Sequence, residues 1–399
     1  MLILQDPTNE QGPYLLESLT EAFQSATQIN GIFAYASGSG IQLLTEDEAF
    51  QRIAKTGKVD LIVGTDAITT VRALDTLANV ARQYPKMTAR AFLNPLTDRI
   101  FHPKFCFTKR PKGGCLVVGS GNLTEGGLLG NWEAYSVEEL SDGSFAKMQS
   151  LWNEWTEKHD ERLLSLDNPQ VRERVAANSV LAREGDLPTL VAGRIRAGRH
   201  PVAAAAAAAR AKVGKRAKRK VAAVAGVVAT EPEPEDIQLI PNDATVLIAE
   251  IPQSGNRWKQ ANFDLDNYRN FFGAKPDAAN RLVIFRHVNA DGSVADYERN
   301  RPPVTVKSRN FRFELAAASG IPYPKKGRPI GVFIRMVGRT FFYRLLLPKD
   351  PEYATVSAIL GQVAGPLRRE DSMRRGRTTV ERLRKEWPNS PFWQLPDTA

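Results

Sequence analysis

Five residues between positions 102 and 133 combine the side-chain types that phosphoryl transfer requires. His102 is followed two residues later by Lys104, and a Gly-Ser-Gly-Asn turn then supplies Ser120 and Asn122 ahead of Glu133. A neutral imidazole attacks phosphorus to form a covalent intermediate, while lysine and asparagine hold the non-bridging oxygens. A carboxylate orients the imidazole, and the leaving oxygen needs a proton from a general acid. The set predicts a catalytic site for phosphodiester chemistry.

A metal is not required by this set of residues. The sequence shows no grouping of Asp, Glu and His with a two-metal pattern, so we expect neither a metal nor another cofactor. The two cysteines, Cys106 and Cys115, are too few for a disulfide framework or a four-cysteine zinc site. They are expected to be buried small side chains in strands, and the cysteine content favours a reducing cytoplasm.

The elements that position these residues alternate between strands and helices. Short apolar runs and amphipathic stretches succeed one another over the first third of the chain, which predicts an α/β layer with a largely parallel sheet. In a strand, His102 and Lys104 would share one face, since side chains alternate. The predicted strands are Gly31–Ala36, Asp60–Gly64, Ala89–Leu93, Phe101–Thr108, Cys115–Gly119 and Ala134–Glu139. The predicted helices are Tyr14–Ala26, Leu74–Tyr84, Phe145–Lys158 and Gln170–Arg183.

Composition divides the chain into three parts. Residues 1–192 form the predicted catalytic domain, and residues 193–236 are rich in alanine and basic residues and then in acidic residues and proline. This segment is interpreted as a solvated linker, or as a basic arm that contacts phosphates. Residues 237–399 predict a mainly-β domain with two helices. Its predicted strands are Thr245–Ile251, Arg281–His287, Val304–Lys307, Phe311–Leu315, Ile330–Met336 and Thr340–Leu347, and its helices are Ala354–Leu360 and Thr379–Glu386.

The net charge of +10 is distributed unevenly. Residues 1–193 hold 18 basic and 24 acidic side chains, whereas residues 237–399 hold 26 basic and 16 acidic ones. This asymmetry suggests that the later part of the chain binds any polyanionic partner. No apolar run approaches the length of a transmembrane helix and the first residues show no secretory pattern, so we expect no membrane association.

The motifs at 102–104 and 119–122 resemble the signature of the phospholipase D superfamily over roughly the first 190 residues. The aspartate that usually follows the lysine by five residues is absent, since position 109 is lysine. This departure resembles the nuclease branch, in which a glutamate beyond the turn accompanies the other residues, and Glu133 has that place. The resemblance is to metal-independent type IIS restriction endonucleases in particular. It implies a phosphohistidine intermediate on His102, with Lys104 and Asn122 on the phosphorane oxygens, Ser120 assisting by hydrogen bonding and Glu133 orienting the imidazole.

The C-terminal part resembles the DNA-binding domain of the same enzymes, a β pseudobarrel shared with plant transcription factors. The segments Ile251–Phe263, Ser308–Leu315 and Lys325–Arg335 carry this resemblance. It implies two arms that hold double-stranded DNA in the major groove. Arginine, asparagine and glutamine are suited to pairing with base edges, although arginines here could also be solvated loop charges. The implied DNA-binding residues are Arg257, Trp258, Lys259, Gln260 and Asn262 on one arm and Ser308, Arg309 and Asn310 on the other.

The histidine count leads to a prediction about oligomeric state. The family chemistry uses two histidines, yet the three besides His102, at positions 159, 200 and 287, have no lysine two residues later. We therefore expect a homodimer in which two copies of His102 share one site. The resemblance implies DNA restriction with a possible partner methyltransferase. Two alternatives stay open: a phosphodiesterase of the phospholipase D type acting on another substrate, and a DNA-binding protein whose nuclease-like domain is inactive.

Overall fold

The chain folds into two compact units in a computed structural model. The structure describes residues 1–66, 68–96, 99–183, 240–253, 258–275, 281–301, 311–365 and 373–395. Of these residues, unit 1 contains 1–6 and 13–183, and unit 2 contains 7–12 and 240–395. The predicted linker at 193–236 lies outside the described residues.

Unit 1 is a mixed α/β layer built on an eight-stranded sheet with the order β1-β7-β6-β5-β2-β3-β4-β8. Strands β2, β3 and β4 are parallel to one another, and the other neighbouring strands pair antiparallel. The interior strand β3 is buried almost throughout, as its apolar sequence predicts. The strands are β1 Leu2–Gln5, β2 Gln28–Phe33, β3 Lys58–Gly64, β4 Met87–Phe92, β5 Lys104–Lys109, β6 Gly114–Gly119, β7 Glu133–Leu140 and β8 Leu163–Ser165.

Helices cover both faces of this sheet. On one face, Phe145 and Trp152 of α5 pack in a cluster with Phe107. On the opposite face, the Thr108 hydroxyl donates to the carbonyl oxygen of Ala22 in α1, at 3.4 Å. Amphipathic sequences account for this arrangement, because each helix buries one apolar side. The helices are α1 Leu15–Phe23, α2 Gly38–Thr45, α3 Glu48–Thr56, α4 Val71–Gln83, α5 Asp142–Lys158 and α6 Pro169–Arg183.

Two expectations for unit 1 are wrong. The sheet is not largely parallel, because β5, β6 and β7 follow one another as antiparallel neighbours. The predicted strand over Phe101–Thr108 begins only at Lys104, so His102 precedes the strand. Pro103 lacks the backbone N–H that a sheet ladder uses, which favours a strand that starts after it.

Unit 2 contains a six-stranded sheet with the order β12-β11-β15-β14-β9-β16 and a separate two-stranded sheet of β10 and β13. Neighbours in the larger sheet are antiparallel except β11 and β15, which are parallel. The strands are β9 Thr245–Glu250, β10 Gln260–Phe263, β11 Val283–His287, β12 Glu298–Asn300, β13 Phe311–Glu314, β14 Ile330–Arg335, β15 Thr340–Leu346 and β16 Arg375–Thr379.

The larger sheet of unit 2 is buried on both faces. Alternate residues of β14 enter different cores, since Phe333 belongs to an aromatic cluster and Val332 and Ile334 belong to an aliphatic one. Helices α7 Tyr353–Val363 and α8 Val380–Glu386 pack on the aliphatic side. Most of the strands expected in this part are present with small shifts of their ends. The expected strand Val304–Lys307 lies outside the described residues, and the pseudobarrel stays a prediction.

Candidate active site

The candidate residues converge where three neighbouring strands of the unit 1 sheet, β5, β6 and β7, begin or end. In the antiparallel register, Phe105 pairs with Val118 and Gly119 pairs with Tyr135. The start of β5, the end of β6 and the start of β7 therefore lie side by side. These are the positions from which Lys104, the turn at 119–122 and Glu133 extend, so the sheet alone brings distant parts of the sequence together.

His102 and Lys104 are in direct contact. The Nζ atom of Lys104 lies 2.9 Å from Nε2 of His102 and 3.4 Å from the His102 carbonyl oxygen. A charged lysine only donates hydrogen bonds, so in this contact Nε2 accepts and the proton of the neutral ring is on Nδ1. His102 is exposed whereas Lys104 is only 7% exposed. The contact occupies the Nε2 lone pair, so Lys104 must turn to a phosphate oxygen before Nε2 attacks phosphorus.

Burial governs the protonation of Lys104. It lowers the pKa of the Lys104 ammonium, because the charged form loses water, and the charge of Glu133 acts in the opposite direction. Glu133 is therefore within electrostatic reach of Lys104. Lys104 attracts a phosphate oxygen electrostatically only while its ammonium group keeps its proton.

Replacing Lys104 with arginine is expected to move the alkaline limb of the pH–rate profile to higher pH. In the wild type the rate should fall as pH rises through the lowered pKa of Lys104, since the neutral amine no longer attracts the phosphate. Arginine stays charged over the whole accessible range. The measurement is kcat/KM for a phosphodiester as a function of pH.

Lys109→Arg provides the matched control for this experiment. Lys109 lies on the same strand but pairs with Asp142 at 2.9 Å, away from His102. Its replacement should leave the alkaline limb in place. An alkaline limb that does not move in Lys104→Arg would contradict the role assigned to Lys104.

Ser120 fixes the position of Glu133. The Ser120 hydroxyl donates to a carboxylate oxygen of Glu133 and accepts from the backbone N–H of Ala134 at 3.0 Å. The side-chain amide of Asn131 donates to the other carboxylate oxygen at 3.4 Å. The hydroxyl proton of Ser120 is thus used to hold the carboxylate. Orientation of the imidazole by Glu133, expected from the sequence, stays a prediction.

Glycine is required where the turn approaches its neighbours. A Cβ atom on Gly119 would overlap with Tyr135, and one on Gly121 would overlap with the side chain of Leu15. The two glycines therefore allow the turn to lie directly against β7 and α1. The glycines of the Gly-Ser-Gly-Asn motif serve packing, while its serine and asparagine carry the polar groups.

Asn122 is oriented by Tyr35, a residue that sequence reasoning missed. The Oδ1 atom of Asn122 accepts from the backbone N–H of Tyr35 at 3.3 Å. The NH2 group of Asn122 takes no part in this hydrogen bond. The ring of Tyr35 meets the ring of His102 edge to face, with centroids 6.1 Å apart. Tyr35 thus links Asn122 to His102. Its signal in the sequence is its place two residues after the end of β2.

The implied DNA-binding residues lie in different environments in unit 2. Trp258 is buried, and its indole N–H donates to the carbonyl oxygen of Ile321 at 2.6 Å, which gives it a packing role. Lys259 and Gln260 both approach the carboxylate of Glu314, at 3.5 and 3.1 Å. Asn262 pairs with Arg312 across the two-stranded sheet. Arg257, Ser308, Arg309 and Asn310 lie outside the described residues.

Within the described ranges, no group of three or more His, Cys, Asp and Glu side chains is arranged to hold a metal ion. No helix in this part of the chain combines the length and apolar character needed to cross a membrane.

Comparisons with known proteins found similarity at the level of solved structures. No protein-family profile matches the chain, and no curated protein matches it. NucT from Helicobacter pylori is 17% identical, with a TM-score of 0.30, over 41% of this chain and 98% of that one. Nuc from Salmonella typhimurium, a phospholipase D family member, is 16% identical, with a TM-score of 0.29, over 41% and 94%. Yeast tyrosyl-DNA phosphodiesterase 1 is 14% identical, with a TM-score of 0.28, over 44% and 40%.

Proposed function

We propose that this chain is a sequence-specific DNA endonuclease of the restriction type, which hydrolyses phosphodiester bonds through a phosphohistidine without a metal. The observation that carries the proposal is the 2.9 Å contact between Lys104 Nζ and His102 Nε2, beside the carboxylate of Glu133 held by Ser120. A nucleophile, a cation for the phosphate oxygens and a fixed carboxylate are thereby combined at neighbouring ends of β5, β6 and β7.

The reaction has two steps. Nε2 of His102 attacks phosphorus, a P–N bond forms, and the bond from phosphorus to the leaving oxygen breaks as that oxygen takes a proton from a second histidine. Water then attacks the phosphohistidine, passes a proton to the second histidine and releases His102. Lys104 and the NH2 group of Asn122 stabilise the charge that develops on the non-bridging oxygens.

The second histidine comes from a second copy of the chain. Only His102 has a lysine two residues later, so one chain supplies one histidine of this kind. His102 of the partner subunit acts as the general acid in the first step, with the twofold axis of a homodimer passing between the two imidazoles.

An exposed apolar face lies on the edge strand of the same sheet, with its side chains on the sheet face opposite those of Lys104 and Glu133. Leu2 and Leu4 on the edge strand β1 are 68% and 70% exposed, and Val118 on β6 shares their face across β7. Trp132, which is 67% exposed, directly precedes Glu133. We propose this apolar face, made of Leu2, Leu4, Val118 and Trp132, as the surface that the second copy covers.

DNA recognition belongs to unit 2 in this proposal. Residues 237–399 carry the excess of basic side chains that phosphate binding needs. Lys259, Gln260 and Arg312 are partly exposed on the two-stranded sheet and are suited to contact DNA. The buried Trp258 supports the sheet and is left out of the contacting set. A cytoplasmic location and a partner methyltransferase belong to the same proposal.

Digestion of plasmid DNA in excess EDTA tests this function. We expect discrete fragments with the wild-type chain, because the first step uses a histidine and a lysine where other nucleases use a metal-activated water. Loss of cleavage in EDTA would contradict the metal-free mechanism, and a smear of products would contradict sequence specificity.

Two parallel assays separate the alternatives. Cleavage of bis(p-nitrophenyl) phosphate or of phospholipid vesicles without cleavage of DNA would favour another phosphodiesterase. DNA binding in a gel-shift assay without cleavage of any phosphodiester would favour a binding protein with an inactive nuclease-like domain.

A further inference from the structure

A buried carboxylate outside the proposed chemistry holds the chain just before His102. Asp66 follows β3 and is 2% exposed. Its Oδ2 atom accepts from the Asn94 side-chain amide at 2.8 Å and from the backbone N–H of Phe101 at 3.1 Å. Its Oδ1 atom accepts from Arg174 at 2.8 Å. One carboxylate thus joins the segments that follow β3 and β4, the segment that leads into β5, and helix α6.

The segment that carries His102 depends on such contacts because the sheet does not hold it. The ladder between β5 and β2 begins with the pair Lys104 and Phe33, so Phe101 and His102 lie before it. Pro103 has no backbone N–H. The N–H of Phe101 is bound by Asp66, and its ring stacks on Phe92 with centroids 4.2 Å apart. Asp66 therefore fixes the backbone one residue before the nucleophile.

Helix α6 holds the segment that contains Asp66 from both sides. Arg174 pairs with Asp66, and the side-chain amide of Asn178, one turn later, donates to the carbonyl oxygens of Thr65 and Thr69 at 3.0 and 3.1 Å. The hydroxyl of Thr69 in turn accepts from the backbone N–H of Ala36 at 3.2 Å. These contacts make the position of Asp66 rigid.

The negative charge of Asp66 also reaches the site. Together with burial, it raises the pKa of Tyr35, whose ring contacts His102. Asp66 is therefore close enough to Tyr35 to act on it electrostatically, which places the carboxylate near the ring that contacts His102.

We propose that Asp66 is a positioning residue for His102 and that Arg174 acts through it. This inference rests on the proposed function, since it assigns His102 as the nucleophile. The carboxylate of Asp66 sets where the imidazole stands relative to Lys104, and Arg174 sets the direction of that carboxylate. Accurate placement of reacting atoms governs rate strongly, with a displacement of about 1 Å changing it about 100-fold.

Asp66→Asn is the variant that tests the proposal, and Asp60→Asn is its matched control. Asparagine keeps the size of the side chain but offers one accepting oxygen instead of two. Asp60 is also buried, lies on β3, and binds an arginine, with Arg90 at 2.8 and 3.0 Å and the indole of Trp152 at 3.1 Å. Both substitutions remove one charge from a buried ion pair in the same unit. Only Asp66 binds the backbone next to His102, through the N–H of Phe101.

We expect Asp66→Asn to lower the single-turnover cleavage rate about 10- to 100-fold, with DNA affinity unchanged within about twofold. Asp60→Asn should lower the melting temperature without a comparable loss of rate. Arg174→Gln should lower the rate less and should add nothing to Asp66→Asn, because both act on one carboxylate. Equal rate losses in Asp66→Asn and Asp60→Asn, or a wild-type rate in Asp66→Asn, would overturn the proposal.

A second measurement separates this inference from the proposed function. The chain has four histidines, so ¹⁵N-histidine labelling gives few imidazole signals, and His102→Ala assigns one of them. Asp66→Asn should shift or broaden the His102 signal, while Asp60→Asn leaves it unchanged. If the wild type cleaves no phosphodiester, the proposed function fails, and the His102 signal still decides whether Asp66 positions the imidazole. An unchanged signal in Asp66→Asn would refute the positioning role.

Discussion

His102→Ala is expected to abolish phosphodiester cleavage, with kcat falling by at least about 10⁴-fold. The substitution removes both the nucleophile of its own subunit and the general acid that it lends to the partner subunit. Lys104 and Asn122 remain to bind the phosphate, so DNA affinity should change little. The measurement is single-turnover cleavage of a DNA fragment with protein in excess, together with a binding isotherm on the same fragment.

A covalent intermediate gives this prediction a second readout. Wild-type protein quenched in alkaline detergent should retain a small fraction of DNA on the polypeptide, because a phosphohistidine survives alkali but not acid. His102→Ala should retain none. His159→Gln is the control, since His159 ends helix α5 and packs against Trp155 without a neighbouring lysine. Cleavage by His102→Ala at the wild-type rate, or an equal loss in His159→Gln, would contradict the assignment of the nucleophile.

The spacing of His102 and Lys104 could be read from the sequence, whereas their direct contact is a finding of the structure. Alternation along a strand predicts that both side chains share one face, yet the strand begins at Lys104. The lysine instead reaches back to the preceding segment, to the carbonyl oxygen as well as to the ring of His102. Two residues of separation keep the side chains within reach in either geometry, so the pairing did not depend on the strand.

The antiparallel part of the sheet could have been predicted from the connections. Only four residues separate β5 and β6, and Gly113 within them has a φ of +64°, with Arg110 N–H donating to the Gly113 carbonyl at 3.1 Å. A connection this short joins antiparallel strands, because a parallel crossover needs a dozen residues or more. The length of this turn can be read from the sequence, and it favours antiparallel pairing of β5 and β6 over the parallel order that the earlier alternation of strands and helices predicts.

Tyr35 and Asp66 could not be predicted in the same way. Each follows a buried strand, but many polar and aromatic residues do so. Their roles depend on Asn122 and Phe101, which are distant in sequence and reach them only through the folded sheet. Strand β1 was missed for a related reason, since its partner β7 lies about 130 residues later and nothing local in Leu2–Gln5 indicates it. Contacts between residues that are distant in the sequence are thus the part of this site that sequence patterns do not predict.

A mixed dimer of wild-type and His102→Ala subunits is expected to be inactive. In the proposed dimer each composite site takes one His102 from each subunit, so a single alanine leaves either the nucleophile or the general acid missing. The test is co-expression of the two chains with different affinity tags, followed by purification through both tags and a single-turnover assay. Independent sites would instead leave about half of the wild-type rate.

Two controls accompany this test: random assembly of wild-type and His102→Ala subunits without selection of mixed dimers, and a surface variant. If subunits carrying each sequence assemble at random in equal amounts, a shared site predicts about one quarter of the full activity, whereas independent sites predict about one half. A doubly tagged dimer of two wild-type chains must keep the full rate. Leu4→Glu places a charge in the proposed apolar face and should yield monomers by sedimentation that cleave poorly, because each monomer has one copy of His102. Leu151→Glu, at a similarly exposed position on α5, should stay dimeric. Full activity in Leu4→Glu monomers would show that one His102 suffices, and the general acid would then have to come from the same chain.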